Sequence, residues 1–345
     1  MEEKMKRGKK LYSTLALVLS LVLLFTGCSK GDANKPSTGS NDEVLKITFG
    51  GTEQSNLATG MAAQWAVDEI SKLSGGKIDI SYHPQGTLGT DADLSQQVLS
   101  GNIPIAGVSV GALSQYTPLL EVIQLPFMLT SYEEELEALN SDEFKALVAA
   151  VEEEFDIKIL GLFENGMRHF ATIDKPVNTM KDIENVKLRV APSVIIQKAM
   201  SLIGANPMSI TYGEVSSALQ NRTIDGEEIN ITSAGSQKHY EVIKYISEVG
   251  FYPYPSIYIM NGNYYRTLTE EQQKIIVGTF AEAQNKALTE YIEQTEKTFR
   301  EECETNGVVF NKVENIQPFK DAVQSLYEEY SAKDPKIEAF VNRFK

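Results

Sequence analysis

The sequence predicts an α/β protein built from two lobes, and three observations carry that expectation. The chain has 345 residues, more than one hydrophobic core usually organises. Val44 to Pro84 reads as strand, helix, strand, the unit of a parallel sheet. From Thr269 to Gly307 an uninterrupted helical pattern runs some 35 residues, roughly 50 Å at the helical rise, longer than one lobe and so expected to touch both.

In the opening unit Leu45, Ile47 and Phe49 alternate as a strand. Gly50-Gly51-Thr52-Glu53 turns into a helix whose Leu57, Met61, Trp65, Ile70 and Leu73 share one face. Gly75-Gly76 ends it, and Ile78, Ile80 and Tyr82 alternate again. The pair Gly50-Gly51 before a helix has neither the GxGxxG nor the P-loop spacing, which excludes a nucleotide cradle. A helix over Asp91–Ser100 and an apolar strand over Ile103–Val110 follow. Ser131 with Glu134 caps an acidic helix, Asp142–Glu154 forms another, and Ile157–Phe163 is a strand.

The second half begins at Arg168. Val186–Val190 is a strand, Ser193–Ile203 a helix stopped by Gly204, and Thr211 with Glu214 caps a helix holding Val215, Ala218 and Leu219. Thr223-Ile224-Asp225-Gly226 turns into a strand over Glu227–Ile231, and Tyr245–Val249 and Ser256–Met260 are further strands. Thr269 with Gln272 caps the long helix, Val308–Phe310 returns as a strand, and Phe319, Val323, Leu326 and Tyr330 mark a last amphipathic helix. No internal repeat is present.

Ahead of this body stands a basic start, Met1–Lys10, then an apolar run over Leu11–Phe25 and Thr26-Gly27-Cys28. That order is a signal peptide over residues 1–27, too short in its apolar run for a spanning helix. A small residue before Cys28 resembles a bacterial lipobox, which makes Cys28 the candidate lipidation site and the mature N-terminus. Residues 28–43, rich in Gly, Ser, Pro and Asn, read as a flexible tether reaching roughly 20 Å.

The net charge of −15 includes a basic leader, so the body is more acidic still. That excludes a nucleic-acid partner, which would require a basic face. Cys28 and Cys303 form no disulfide framework or metal spacing, and His83, His169 and His239 are dispersed, so neither metal nor cofactor is expected. Glu53, Asp91, Glu164, Glu227 and Glu228 could furnish the paired carboxylates of a glycosidase. In so acidic a chain such residues fall near clefts by chance, and no nucleophile–base pair accompanies them, so no enzyme is expected.

Two arginines draw the functional reading. Arg168 and Arg189 flank a Pro-marked loop, and KLRV places Arg189 inside an alternating, half-buried strand. A guanidinium stays charged and offers a planar fork that matches a carboxylate; buried without a protein acid, it becomes a receptor for a ligand acid. The plainer alternative is that both pair with neighbours such as Glu164, Asp182 or Glu184 on a solvated face.

GKIDISYHPQGTLGTDADLSQQVLSGNI, LPFMLT, GMRHF, KPVNTMKDIENVKLRV, GANPMSITYGEVSSALQNRTIDGEEIN and HYEVIKY, in this order, resemble the periplasmic solute receptors of TRAP transporters, the DctP-like family. The resemblance covers Leu45 to the end of the long helix. It implies a two-lobe Venus-flytrap periplasmic binding protein fold with a long helix spanning both lobes. The implied lobes are 44–166 with 255–294, and 167–254 with 295–345. It further implies a small organic acid ligand, such as a C4-dicarboxylate, sugar acid or keto acid, and TRAP membrane subunits as partners of a monomer anchored outside the cell membrane. Receptors of ABC transporters or sensor kinases, built on similar lobes, are the alternative.

The same resemblance assigns the ligand carboxylate to Arg189, a second contact to Arg168 and an aromatic contact to Tyr212. Asp91 is a candidate for the ligand's far polar end, with a helix-capping role as its alternative, and Glu53 joins the candidate ligand contacts. The family's turn reads DGxEN, whereas this chain has Ile229 at the Asn position and Asn230 one residue later. Because neighbours on a strand face opposite ways, Asn230 can stand in only if the strand bulges. Asn185 replaces a usual Gly, which a residue tolerant of positive φ permits.

Overall fold

The computed structural model describes residues 44–345; the expected signal peptide, tether and Cys28 lie outside the described residues. The opening unit is β1 (Leu45–Gly51), α1 (Ala58–Leu73) and β2 (Ile78–His83), with the strands parallel and Phe49 beside Tyr82. Next come α2 (Asp91–Leu99), β3 (Ile105–Ser109), α3 (Tyr132–Asn140), α4 (Asp142–Phe155) and β4 (Ile157–Glu164). The middle of the chain gives β5 (His169–Thr172), β6 (Lys187–Val190), α5 (Val194–Leu202), β7 (Asn206–Ser209), α6 (Val215–Gln220), β8 (Gly226–Ile229), α7 (Ile231–Ser236) and β9 (Tyr245–Glu248). The remainder is β10 (Pro255–Asn261), α8 (Gly262–Thr267), α9 (Glu270–Lys286), α10 (Ile292–Thr305), β11 (Val309–Lys312), α11 (Gln317–Ser331) and α12 (Pro335–Phe344).

Two sheets result, one per lobe, ordered β2-β1-β3-β10-β4 and β11-β9-β5-β8-β6-β7. The chain crosses between them after β4 and again before β10. These two segments bind each other antiparallel, Arg168 N–H to the Tyr252 carbonyl at 3.0 Å and Phe251 N–H to the Arg168 carbonyl at 2.9 Å. Such a doubled crossing leaves two short segments about which the lobes can hinge.

The long helix is continuous from α9 through a π-helical stretch at Ala287–Tyr291 into α10. Its first half packs Phe280 edge-on to Phe49 and Tyr258 of the first sheet, at 5.9 and 6.0 Å between ring centroids. Its second half lies on α7 of the other lobe, where a Cβ on Gly235 would meet Phe299 at 2.6 Å. Cys303 is buried there as an inert thiol, pushed up to about 12 by burial. The helix therefore spans both cores, as its length requires.

Several elements differ from the sequence-based expectation. β5 and β7 are four-residue strands too short to show alternation. The strand expected over Glu227–Ile231 stops at Ile229, because Asn230 caps α7 by accepting the Ser233 N–H at 3.1 Å. A further helix, α12, follows the one expected to be last; Asp334 caps it and Pro335 occupies its first turn. Within the span 295–345, α12 packs against α4 of the first lobe, with Phe340 5.8 Å from Phe144.

Candidate ligand site

A cavity of about 760 Å³ opens between the two sheets. Its first wall stands at the carboxyl ends of parallel β1 and β3, where open α/β sheets offer ligand sites. Thr52, Glu53, Asp91 and Ser109 line that wall; Arg168, Arg189 and Tyr212 face them from the second lobe, and Asn165 and Tyr254 come from the crossing segments.

Arg189 sits on β6 between Leu188 and Val190, whose side chains are in the core. Alternation turns it the other way, into the cavity, at 2% exposure. Its Nε donates to the Ile210 carbonyl at 3.1 Å, and it has no carboxylate partner among the described residues. A buried guanidinium with its fork unmatched by protein is an anion site in waiting.

Arg168 is different. Its Nε donates to Glu228 Oε2 at 2.6 Å and its Nη2 to the Glu228 carbonyl at 2.6 Å. Tyr252 Oη donates to the same carboxylate at 2.5 Å, and the other oxygen accepts the Ala191 N–H at 2.7 Å. Burial is the largest single influence and works against the charge, but the Glu228 carboxylate together with Tyr252 and Tyr254 holds the Arg168 pKa above its ordinary value. Arg168 is thus paired, as the plainer reading had it, but with Glu228 in place of Glu164, Asp182 or Glu184, and in the interior, not on a solvated face. The guanidinium still lines the cavity and stacks 4.2 Å over the Tyr254 ring. Burial pushes the Tyr254 hydroxyl up to about 12 against the pull of Arg168, so it stays a neutral donor.

On the opposite wall Asp91 accepts the Thr52 hydroxyl at 2.6 Å and the Ser109 hydroxyl at 2.7 Å, tying β1, β3 and α2 together. It is not the helix cap; Thr90 and Asp93 form the capping box of α2. Glu53 is buried, and neither carboxyl oxygen has a hydrogen-bond partner. Room for it comes from glycines: a Cβ on Gly51 would sit 2.3 Å from Glu53 Oε2, and one on Gly107 3.0 Å from Glu53 Oε1. Burial, with Asp91 adding to it, raises the Glu53 pKa to about 7.

Tyr212 lines the cavity with its hydroxyl unpartnered. Asn230 is not brought to the cavity. Both ends of its amide are engaged, the oxygen capping α7 and Nδ2 donating to the Asn165 carbonyl at 2.7 Å. Ile229 is buried in the hydrophobic cluster that also holds Ala171 and Ala234. The residue that reaches the cavity is Asn165, held by Thr59 Oγ1 at 2.9 Å and Ser256 Oγ at 3.0 Å.

Asn165 and Tyr254 carry no signal in the sequence because the crossing segments have no periodic pattern, and Glu228, a candidate only as a hydrolytic carboxylate, meets Arg168 because β5 lies beside β8. Of the carboxylates weighed for hydrolysis, Glu227 pairs with His239 at 2.7 Å and Glu164 lies at the hinge; only Glu53 and Asp91 line the cavity. No group of acids, histidines and cysteines among the described residues is arranged to hold a metal.

A two-lobe fold with an uncompensated buried cation in its cleft defines a receptor for small anions. The chain belongs to the DctP family, bacterial extracellular solute-binding protein family 7, whose model matches residues 49–334, and it is a TRAP-type solute-binding protein. It is 27% identical over 311 residues to the C4-dicarboxylate-binding protein DctB of Bacillus subtilis, covering 87% of each chain. A TRAP periplasmic solute-binding protein from Sulfitobacter sp., solved with β-D-galacturonate, aligns with a TM-score of 0.81 at 26% identity, covering 87% of this chain and 99% of that one. Another, from Anaerococcus prevotii with D-glucuronate, gives 0.82 at 28%, covering 87% and 97%. The family and these neighbours are binding proteins, and proteins of this family act outside the cytoplasmic membrane. No helix among the described residues is long and apolar enough to cross a membrane.

Proposed function

We propose that this receptor captures a hydroxyl-rich monocarboxylate of sugar-acid size and delivers it to TRAP membrane subunits without chemical turnover. The observation that carries this reading is the polarity of the cleft: one unneutralised buried cation, Arg189, faces Glu53 and Asp91 across the cavity. Arg189 takes the carboxylate as a bidentate pair, with Tyr212 and Tyr254 closing around it. Glu53 and Asp91 accept hydrogen bonds from hydroxyls at the far end. A C4-dicarboxylate would bring a second charge against two acids, while Arg168 is already neutralised by Glu228. The volume suits a hexuronate or aldonate, and the bound galacturonate and glucuronate of the structural neighbours support that class. Cys28 serves as the lipid anchor that keeps a monomeric receptor at the membrane; once its signal peptide is cleaved, the Cys28→Ala protein should appear in the soluble fraction, and a cleaved Cys28→Ala protein still bound to the membrane would refute the anchor.

A calorimetric screen of hexuronates, aldonates, keto acids, sulfonates and C4-dicarboxylates tests the ligand class. A hexuronate or aldonate should bind most tightly; a dicarboxylate that binds more tightly, or turnover of any compound, would contradict the proposal. The pH dependence has a definite sign. Glu53 is largely neutral below about 7 and ionised above it, and ionisation puts a second negative charge in a cavity holding an anion. Affinity should therefore fall several-fold as pH rises through that value, and Glu53→Gln should remove the slope.

A further inference from the structure

The hinge holds a buried carboxyl cluster that the ligand cavity does not use. Glu164 ends β4, and its Oε1 accepts the N–H of Gly166 at 2.5 Å and of Tyr254 at 3.1 Å, one on each crossing segment. Its Oε2 has no partner. Glu135 of α3 lies against it, fully buried, with both carboxyl oxygens also unpartnered. Among the described residues the surroundings supply no free cation. Tyr132 of α3 donates to Glu296 of α10 and accepts the Met167 N–H at 3.2 Å. Arg300 and Glu248 act on Glu296 from beyond and pair with each other, and Arg168 is engaged by Glu228.

Two touching buried carboxylates without a cation cannot both stay ionised, and buried oxygens are rarely left without a hydrogen bond. A single proton resolves both conditions. We propose that Glu135 is protonated and donates to Glu164 Oε2, a proton-bridged carboxyl pair that clamps both crossing segments and makes the hinge sensitive to pH. Tyr132 and Glu296 tie the long helix to the same point. Withdrawing the proton would set two negative charges together beside the hinge backbone, so the clamp loosens as the solution becomes alkaline.

Burial first, then the Glu164 charge, raise the Glu135 pKa well above the carboxylate range, and burial raises that of Glu164. A proton held more tightly when folded contributes stability that is complete below the unfolded-state pKa and lost as pH rises through the folded-state value.

The test is thermal unfolding of the unliganded chain, wild type against Glu135→Gln, from pH 5 to pH 9. An amide donates the same hydrogen bond without titrating. The wild type should lose Tm relative to Glu135→Gln as pH rises, on the order of 2 °C for each tenfold by which folding tightens the proton. A Tm difference constant across the range would overturn the proposal. Hydrogen exchange on the wild type gives a second readout: protection of the Gly166 and Tyr254 amides should fall at alkaline pH more than that of other buried amides. Unchanged relative protection would equally contradict it. Neither measurement uses a ligand, so failure here leaves the receptor reading untouched.

Discussion

Arg189→Ala should weaken binding of the identified ligand by about 30-fold or more while leaving the unliganded protein as stable as wild type. Truncating one partner of a buried, hydrogen-bonded charge pair costs roughly 2–5 kcal/mol, and here the partner belongs to the ligand. In the free protein Arg189 makes one hydrogen bond, to the Ile210 carbonyl, and has no carboxylate beside it. Its removal breaks no ion pair and relieves a buried charge. Arg189→Lys should rescue poorly, since a point charge cannot reproduce a planar fork. Titration calorimetry of both variants, with circular dichroism as a folding check, decides the matter. A folded Arg189→Ala protein with wild-type affinity would return Arg189 to a structural role.

Glu228→Ala should do the opposite, destabilising the fold by about 3–5 kcal/mol, the usual cost of stranding one member of a buried pair. For a chain of this size that is a fall in Tm of roughly 4–8 °C. The Glu228 carboxylate serves three donors, Arg168 Nε, Tyr252 Oη and the Ala191 N–H. Deletion therefore strands a guanidinium, a hydroxyl and an amide at the meeting point of β8, β6 and the crossing segment. Differential scanning calorimetry without ligand reads the effect, and a Tm within a degree or two of wild type would mean that the pair adds little. Arg168 thus differs from Arg189 in kind: one arginine belongs to the scaffold as well as to the cavity wall, the other only to the wall.

The sequence disclosed whatever leaves a periodic trace. β1, α1 and β2 were readable because Leu45, Ile47 and Phe49 alternate and the helix keeps one apolar face, and the long helix because its pattern runs unbroken. Arg189 was readable for the same reason, a charge in the middle of an alternating strand. β5 and the crossing segments were not, since residues buried on all sides show no period. α12 has a local signal in Asp334-Pro335, but its short span lies beyond the apolar face of α11. The partner of Arg168 was hidden because strand pairing, not sequence distance, sets Glu228 beside it. Asn230 illustrates the limit of a motif: one residue of displacement carried it from a strand into a helix cap, where it steadies Asn165 from behind. The burial of Glu53 depends on Gly51, two residues before it, and on Gly107, which only the pairing of β1 with β3 brings alongside.

The central claim, a monocarboxylate held at Arg189 with its hydroxylated end toward Glu53 and Asp91, is tested most directly by a crystal structure with the ligand that the calorimetric screen identifies. The ligand carboxylate should lie within hydrogen-bond distance of both Arg189 Nη atoms, with hydroxyls at Glu53 and Asp91. A carboxylate held elsewhere, or a ligand reversed so that its charge faces Glu53, would contradict the account.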